Sequence, residues 1–418
     1  MLNVISVYYH RYSHCEPIFV GRLAYDEGVS HFEYDARFLT LGLNLSPFKL
    51  EMHSLLQSAP LHPFSGLHGL FNDSLPDGWG MYLMDKDYKK HGFVLDEISP
   101  VDRLTYMGSR AMGALSYLPD EGSQFHSNIE EQLILDQLAQ ESIDLYTGEI
   151  DEVLNHLAIN GTPSGGARPK VLLGIKDKET ISGVYDLPDK FEHWLAKFPI
   201  GTKAEDKAEG AIEYLYSVMA RNAGIDFPET KLVAGENNNA YFLIKRFDRA
   251  AGNKRIHMQT LAGLVHADFR IADFDYERLL KVCSAMTKSH KEVSQLFKRM
   301  LFNVISGNRD DHTKNFSFLM DEQGTWRNSP AYDLTFNRGI NGEHSMLVGK
   351  SGKNITSEDI SLLAKTASLK NSEVQQMIDE VFEQLSSWHY EAQHYNIPDS
   401  KISEIDNYIT AQRKRLIV

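Results

Sequence analysis

The chain is expected to adopt an α+β fold with a strand-rich N-terminal part and a helical C-terminal part. Three observations carry that expectation. Short runs of alternating apolar and polar residues, bounded by turn residues, occupy the first forty positions, and short apolar strand-like runs follow between 170 and 245. Beyond 255 the apolar residues recur instead at the three-to-four residue spacing of helices. One strand pair interrupts that helical half, around a polar turn at 321–324.

In chain order, the first strands are expected at 4–9, 18–25 and 31–34. Pro76 and the pair Asp77-Gly78 mark a turn before a helix at 81–90, with Asp77 as its N-cap. A helix at 103–113 leads into a strand that begins Gly113-Ala114-Leu115, and 130–140 and 151–157 read as amphipathic connectors. A glycine-rich loop at 161–169 runs into an apolar strand at 170–175, with a second strand at 193–198. Ala208, Ala211, Ile212, Leu215, Val218 and Met219 form the stripe of a helix at 207–223, and strands follow at 230–234 and 240–245. Later helices are expected at 276–284, 293–305, 357–366, 372–387 and 403–415, with the interrupting strands at 316–320 and 329–334. Sheet first and helices second suggest two lobes with a cleft between them.

A chain of 418 residues suits two or three subdomains, and 42% hydrophobic with 24% charged residues is an ordinary soluble composition. Cys15 and Cys283 match no zinc or redox spacing and fit a reducing cytosol. The first residues lack the basic start and apolar run of a signal peptide, and no window approaches 18 apolar residues. A cytoplasmic protein without a membrane span is therefore expected. The net charge of −14 weighs against broad nucleic-acid binding. Arg413-Lys414-Arg415 is a small basic run, but three cations at a helix end more readily favour the helix dipole.

The chemistry concentrates in Asp310 to Asn315 and in Asp333. A carboxylate, an asparagine five residues on and a second carboxylate a hairpin later is the pattern of metal-assisted phosphoryl transfer. Asp310 takes the role of base, accepting the proton of an acceptor hydroxyl. Asn315 and Asp333 supply hard oxygen atoms for Mg2+. Asp311 is then structural, and His312 orients the loop by bonding to backbone and joins the ATP-binding set. Lys197 lies in a strand with Trp194, Leu195, Ala196 and Phe198, where an ammonium is costly unless it meets an anion. Nucleotide phosphates supply one, and Glu213 on the following helix supplies another, with Glu209 as the rival. Gly165, Gly166 and Ala167 allow backbone N–H groups near phosphates, with Lys170 at the strand entrance. Lys245 and Phe247 sit where strands give way to helices, a hinge whose backbone can meet adenine. Thr162 and Ser164 lie in the glycine-rich loop and are candidates for phosphorylation there.

Together these segments resemble the HipA family of toxin serine/threonine kinases, the toxin half of type II HipA–HipB toxin–antitoxin modules. Leu75-Pro76-Asp77-Gly78-Trp79 and Gly113-Ala114-Leu115 are similar to its N-terminal region. Gly165-Gly166-Ala167-Arg168-Pro169-Lys170 is similar to its phosphate loop, and Ala196-Lys197-Phe198-Pro199-Ile200 to its ATP-lysine strand. Glu213-Tyr214 matches its pairing helix, 245–249 its hinge, 308–316 its catalytic loop and Tyr332-Asp333 its second metal site. The resemblance implies a two-lobed protein-kinase-like fold. It divides the chain into an N-terminal subdomain 1–125, an N-lobe 126–247 with the glycine-rich loop and ATP lysine, and a helical C-lobe 248–418 with a catalytic hairpin. It also implies ATP and Mg2+, a protein substrate such as an aminoacyl-tRNA synthetase, growth arrest and persistence. The implied partner is a HipB-like helix-turn-helix antitoxin, through which alone operator DNA is reached. The family's self-phosphorylated serine falls on Pro163 here, so Thr162 or Ser164 would have to serve. A small-molecule kinase, or a non-catalytic module acting in repression, are the alternatives that the same residues allow.

Overall fold

The computed structural model describes residues 4–12, 15–122, 132–151, 153, 155–163 and 165–416. Contact density divides the chain into two compact units. The first comprises Met1–Gly201, Leu243–His266 and Leu319–Thr325, and the second Thr202–Phe242, Ala267–Phe318 and Trp326–Val418. The architecture is of the expected α+β class, strand-rich first and helical later.

The first unit opens with β1 (Val4–Tyr9), β2 (Ile18–Asp26), β3 (Val29–Tyr34), β4 (Gln57–Ser58) and β5 (Leu115–Leu118). They form one antiparallel sheet in the order β4-β3-β2-β1-β5. Alternation works as the pattern predicts: Ile5, Val7 and Tyr9 of β1 face the core while Val4 is exposed. Phe32, Phe71 and Tyr117 pack ring against ring over that face. Each buried large side chain of this kind contributes about 1.5–3 kcal/mol. A helix at Pro100–Met107 is held at its start by a capping box between Ser99 and Asp102, with Pro100 in the first turn. It stops at Gly108, whose φ of +51° a side chain would strain, so it is shorter than the 103–113 expected. Helices Leu135–Thr147 and Asn155–Gly161 occupy the two connector regions; residues 130 and 131 lie outside the described residues.

A second sheet contains β6 (Lys170–Lys176), β7 (Glu179–Ser182) and β8 (Glu192–Lys197). Strand β6 pairs antiparallel with both neighbours, in a register that sets Lys170 directly opposite Lys197.

In the second unit, helix Ala204–Asn222 buries Ala208, Ala211, Ile212, Leu215 and Met219 of the predicted stripe. Helix His290–Ser306 is its axis, buried at every position from Leu296 to Ser306. Tyr276–Thr287, Asn371–Leu385 and Asp399–Leu416 pack around it. Trp388 is fully buried, edge-on to Tyr216, whose hydroxyl donates to the Ser306 carbonyl at 2.7 Å. The axial helix ends at Gly307, in left-handed geometry at φ +78°. A Cβ there would come within 2.8 Å of the Tyr408 ring and 2.9 Å of the Phe336 ring, so both backbone and space demand glycine.

The strand pair in the helical half differs from expectation. Strand Ser317–Met320 forms, but the next strand is Trp326–Asn328 rather than 329–334. Pro330 has no N–H to offer a ladder, and Asp333 takes φ +53°, incompatible with a strand. Arg413, Lys414 and Arg415 occupy the last turn of helix Asp399–Leu416, where cations favour the dipole. Among the described residues no helix is long and apolar enough to cross a membrane.

Candidate functional site

The axial helix delivers the 308–315 loop, and two adjacent carboxylates there have opposite environments. Asp311 is fully buried and accepts from the Tyr276 hydroxyl at 2.7 Å, His344 Nδ1 at 2.8 Å and the Ser345 N–H at 2.8 Å. Burial and then the Asp311 charge push the Tyr276 phenol well above its usual range, so it stays a donor. Asp310 is exposed, with 54% of its side chain open to solvent. His312 Nε2 lies 3.8 Å from its carboxylate.

Asn315 closes the loop, its Nδ2 donating to the Asp310 carbonyl at 2.7 Å and its N–H to the His312 carbonyl at 2.9 Å. His312 does not hold the loop by a backbone bond, contrary to expectation. Its Nδ1 is buried without a hydrogen-bond partner among the described residues, and its ring packs against Phe269 at 5.4 Å.

Arg299, which the sequence reading passed over, organises this region from below. One of its nitrogens donates to the carbonyls of both Asn315, at 2.5 Å, and Tyr332, at 3.3 Å. Its guanidinium also lies over the rings of Phe316 and Tyr332. Burial lowers its pKa, and the nearby Tyr332, Tyr276 and Asp333 oppose that. Asn308 adds a second tie, its Nδ2 donating to Asn303 Oδ1 at 3.0 Å and to the Asp333 carbonyl at 3.3 Å. The segments carrying Asn315 and Asp333 are thus joined through buried side chains. The sequence signal for Arg299 is an arginine set directly before the apolar run Met300-Leu301-Phe302 on an amphipathic helix.

In the first unit, the glycine-rich stretch begins as the end of helix Asn155–Gly161 rather than as loop. Gly165 and Ala167 are exposed, and Gly166 has φ +89°. Lys170 is buried, its ammonium donating to the Gly165 carbonyl at 2.6 Å. Residues opposite one another in an antiparallel pair project from the same sheet face, so Lys170 and Lys197 share one. Asp77 stands at the N-cap position of helix Gly78–Lys90, but its side chain makes no cap bond. Its carboxylate instead accepts the Gly166 N–H. Glu213 belongs to the second unit and is 2% exposed on helix Ala204–Asn222.

The 245–249 segment is fixed by charge. Asp248 is buried against Arg246 and Arg249 at 2.7 and 2.8 Å, and it accepts the Gly113 N–H at 2.8 Å. Burial alone would raise its pKa, but the two guanidinium groups and that N–H outweigh it and hold the carboxyl well below the usual range. Lys245 pairs with Glu192 at 2.5 Å, and Phe247 is half-buried. Thr162 is fully buried, its hydroxyl donating to the Ala158 carbonyl at 2.5 Å. Ser164 lies outside the described residues. Among the described residues no group of three or more His, Cys, Asp or Glu side chains is placed to hold a metal ion.

The HipA N-terminal domain matches residues 14–118, and the HipA-like C-terminal domain matches residues 162–389. Two curated relatives have names containing the word kinase. One, from Haemophilus influenzae, is 28% identical over 42% of this chain and 52% of its own length. The other, Y4dM of Sinorhizobium fredii, is 30% identical over 34% of this chain and 36% of its own. The chain thus spans about half, or less, of the length of these relatives. A chain of the solved Shewanella oneidensis MR-1 toxin–antitoxin complex of HipA, HipB and operator DNA shares the fold. Its TM-score is 0.67 at 16% identity, covering 98% of this chain and 97% of that one. With its N-terminal and C-terminal domains both matched in order, the chain belongs to the HipA family.

Proposed function

We propose that this protein is an ATP- and magnesium-dependent serine/threonine protein kinase of the HipA toxin type. Its substrate would be a translation-related protein, such as an aminoacyl-tRNA synthetase, whose modification arrests growth. One observation carries the reading: of two neighbouring carboxylates, Asp311 is saturated by three donors while Asp310 is open at the head of a braced loop. The relatives named as kinases support the same chemistry.

In this reading Asp310 takes the proton of the acceptor hydroxyl as phosphoryl transfer proceeds. Asn315 commits its N–H2 to the Asp310 carbonyl, which leaves its amide oxygen, a hard donor, for a cation beside the Asp333 carboxylate. Two protein oxygens suit magnesium, which fills its remaining positions with phosphate oxygens and water. Bound there, it would neutralise charge developing on the phosphates. Lys170 and Lys197, sharing one sheet face, and the N–H groups of Gly165, Gly166 and Ala167 serve the nucleotide phosphates. Glu213, Lys245, Phe247 and His312 are the remaining residues proposed for nucleotide binding. A HipB-like helix-turn-helix antitoxin is the proposed partner, with operator DNA reached only through it. The solved complex of HipA, HipB and operator DNA supports that assignment. The cytosol is the proposed location.

Labelled ATP offered with cell extract tests the reading. Label should appear on protein with the wild-type chain and vanish with Asp310→Ala. Label found only on a small metabolite, or on nothing, would overturn it.

A further inference from the structure

The glycine-rich loop is gripped from outside by a segment far away in sequence. Gly166 donates its N–H to the Asp77 carboxylate and accepts from the Trp79 N–H at 2.9 Å. The Trp79 indole N–H donates to the Lys170 carbonyl at 3.2 Å. The fit is close: a Cβ on Gly78 would come within 2.6 Å of the Gly166 carbonyl oxygen. A Cβ on Gly165 would lie 3.2 Å from Asp77 Oδ1.

We propose that Asp77 is a positioning residue that sets nucleotide affinity, its carboxylate holding the Gly166 N–H that a nucleotide phosphate would otherwise take. This rests on the reading of the loop as a phosphate site. The exchange is one anion for another at a single backbone donor. A backbone N–H bonded to a carboxylate oxygen has to surrender that acceptor before it can serve a phosphate oxygen. The half-buried carboxylate also repels an approaching polyphosphate. Trp79 keeps the loop backbone in place through Gly166 and Lys170 while that exchange occurs.

The test measures the affinities of MgATP and of adenosine by calorimetry for the full chain and for Asp77→Asn and Asp77→Glu. Asparagine keeps an acceptor oxygen for Gly166 but removes the charge. The preference for MgATP over adenosine should rise about tenfold in Asp77→Asn, with adenosine affinity unchanged, and stay at the wild-type level in Asp77→Glu. A role confined to supporting the loop predicts unchanged or weaker MgATP binding in Asp77→Asn, with no gain. An unchanged or reduced preference in Asp77→Asn overturns the proposal while leaving the nucleotide site standing. Binding of neither MgATP nor adenosine by any form overturns the phosphate-site reading and this proposal with it.

Discussion

Asp310 and Asp311 are neighbours with opposite predicted phenotypes. Asp311→Ala strips the acceptor from three donors at 2.7 and 2.8 Å in a fully buried site. Each buried donor left without a partner costs about 1–3 kcal/mol, and three sharing one site do not add fully. A net loss of about 3–5 kcal/mol follows from those unpaired donors. That corresponds to a melting point lowered by roughly 10 °C or more. Asp310→Ala removes an exposed carboxylate whose backbone carbonyl still accepts from Asn315. Its stability should stay within about 0.5 kcal/mol of wild type, while phosphoryl transfer falls about 100-fold or more. Thermal melts followed by circular dichroism, run beside transfer from labelled ATP, read both quantities. An Asp311→Ala protein that melts with the wild type, or an Asp310→Ala protein that transfers at full rate, would refute the reasoning.

Asp333→Ala should lose magnesium-dependent nucleotide binding, and Asp333→Asn should fold normally, because asparagine tolerates the φ of +53°; calorimetry with and without magnesium separates the two effects. Acidification should destabilise the first unit through its buried histidines. Burial depresses His257 to about 4, only partly offset by its bond to the Leu45 carbonyl, and burial brings His193 and His266 to about 4 as well. A folded-state value below the unfolded value of about 6.5 means stability fully present above pH 6.5 and lost as pH falls from there through 4. His257→Gln should flatten the decline of the urea-derived unfolding free energy over that window by an amount on the order of 3 kcal/mol; an unchanged slope would show that His257 contributes nothing. Mass spectrometry of cells expressing the active protein should find self-phosphorylation at Ser164 rather than Thr162, whose buried hydroxyl is bonded to Ala158.

Local pattern revealed much of the fold. Alternation located β1, short apolar runs located β6 and β8, and apolar spacing located helices such as Ala204–Asn222 and Asp399–Leu416 within a few residues. These signals are legible because they arise from a residue's own neighbours in sequence. The misplaced elements failed for equally local reasons. Residues 329–334 looked like a strand, yet Pro330 and the left-handed Asp333 prevent one. The helix expected at 103–113 ends at Gly108 because its backbone turns to positive φ there.

The amino-acid order by itself determined the element types, the family and the identity of the candidate residues, since each depends on residue type and spacing. Which of two adjacent aspartates is saturated was decided by Tyr276, His344 and Ser345, brought to Asp311 from elsewhere in the second unit. Arg299 beneath Asn315 and Tyr332, the Lys170–Lys197 register and the grip of Asp77 on Gly166 are likewise products of folding. A hydrogen bond or a charge acts over a few ångströms of space, and spacing along a chain does not record which distant residue will arrive within that distance.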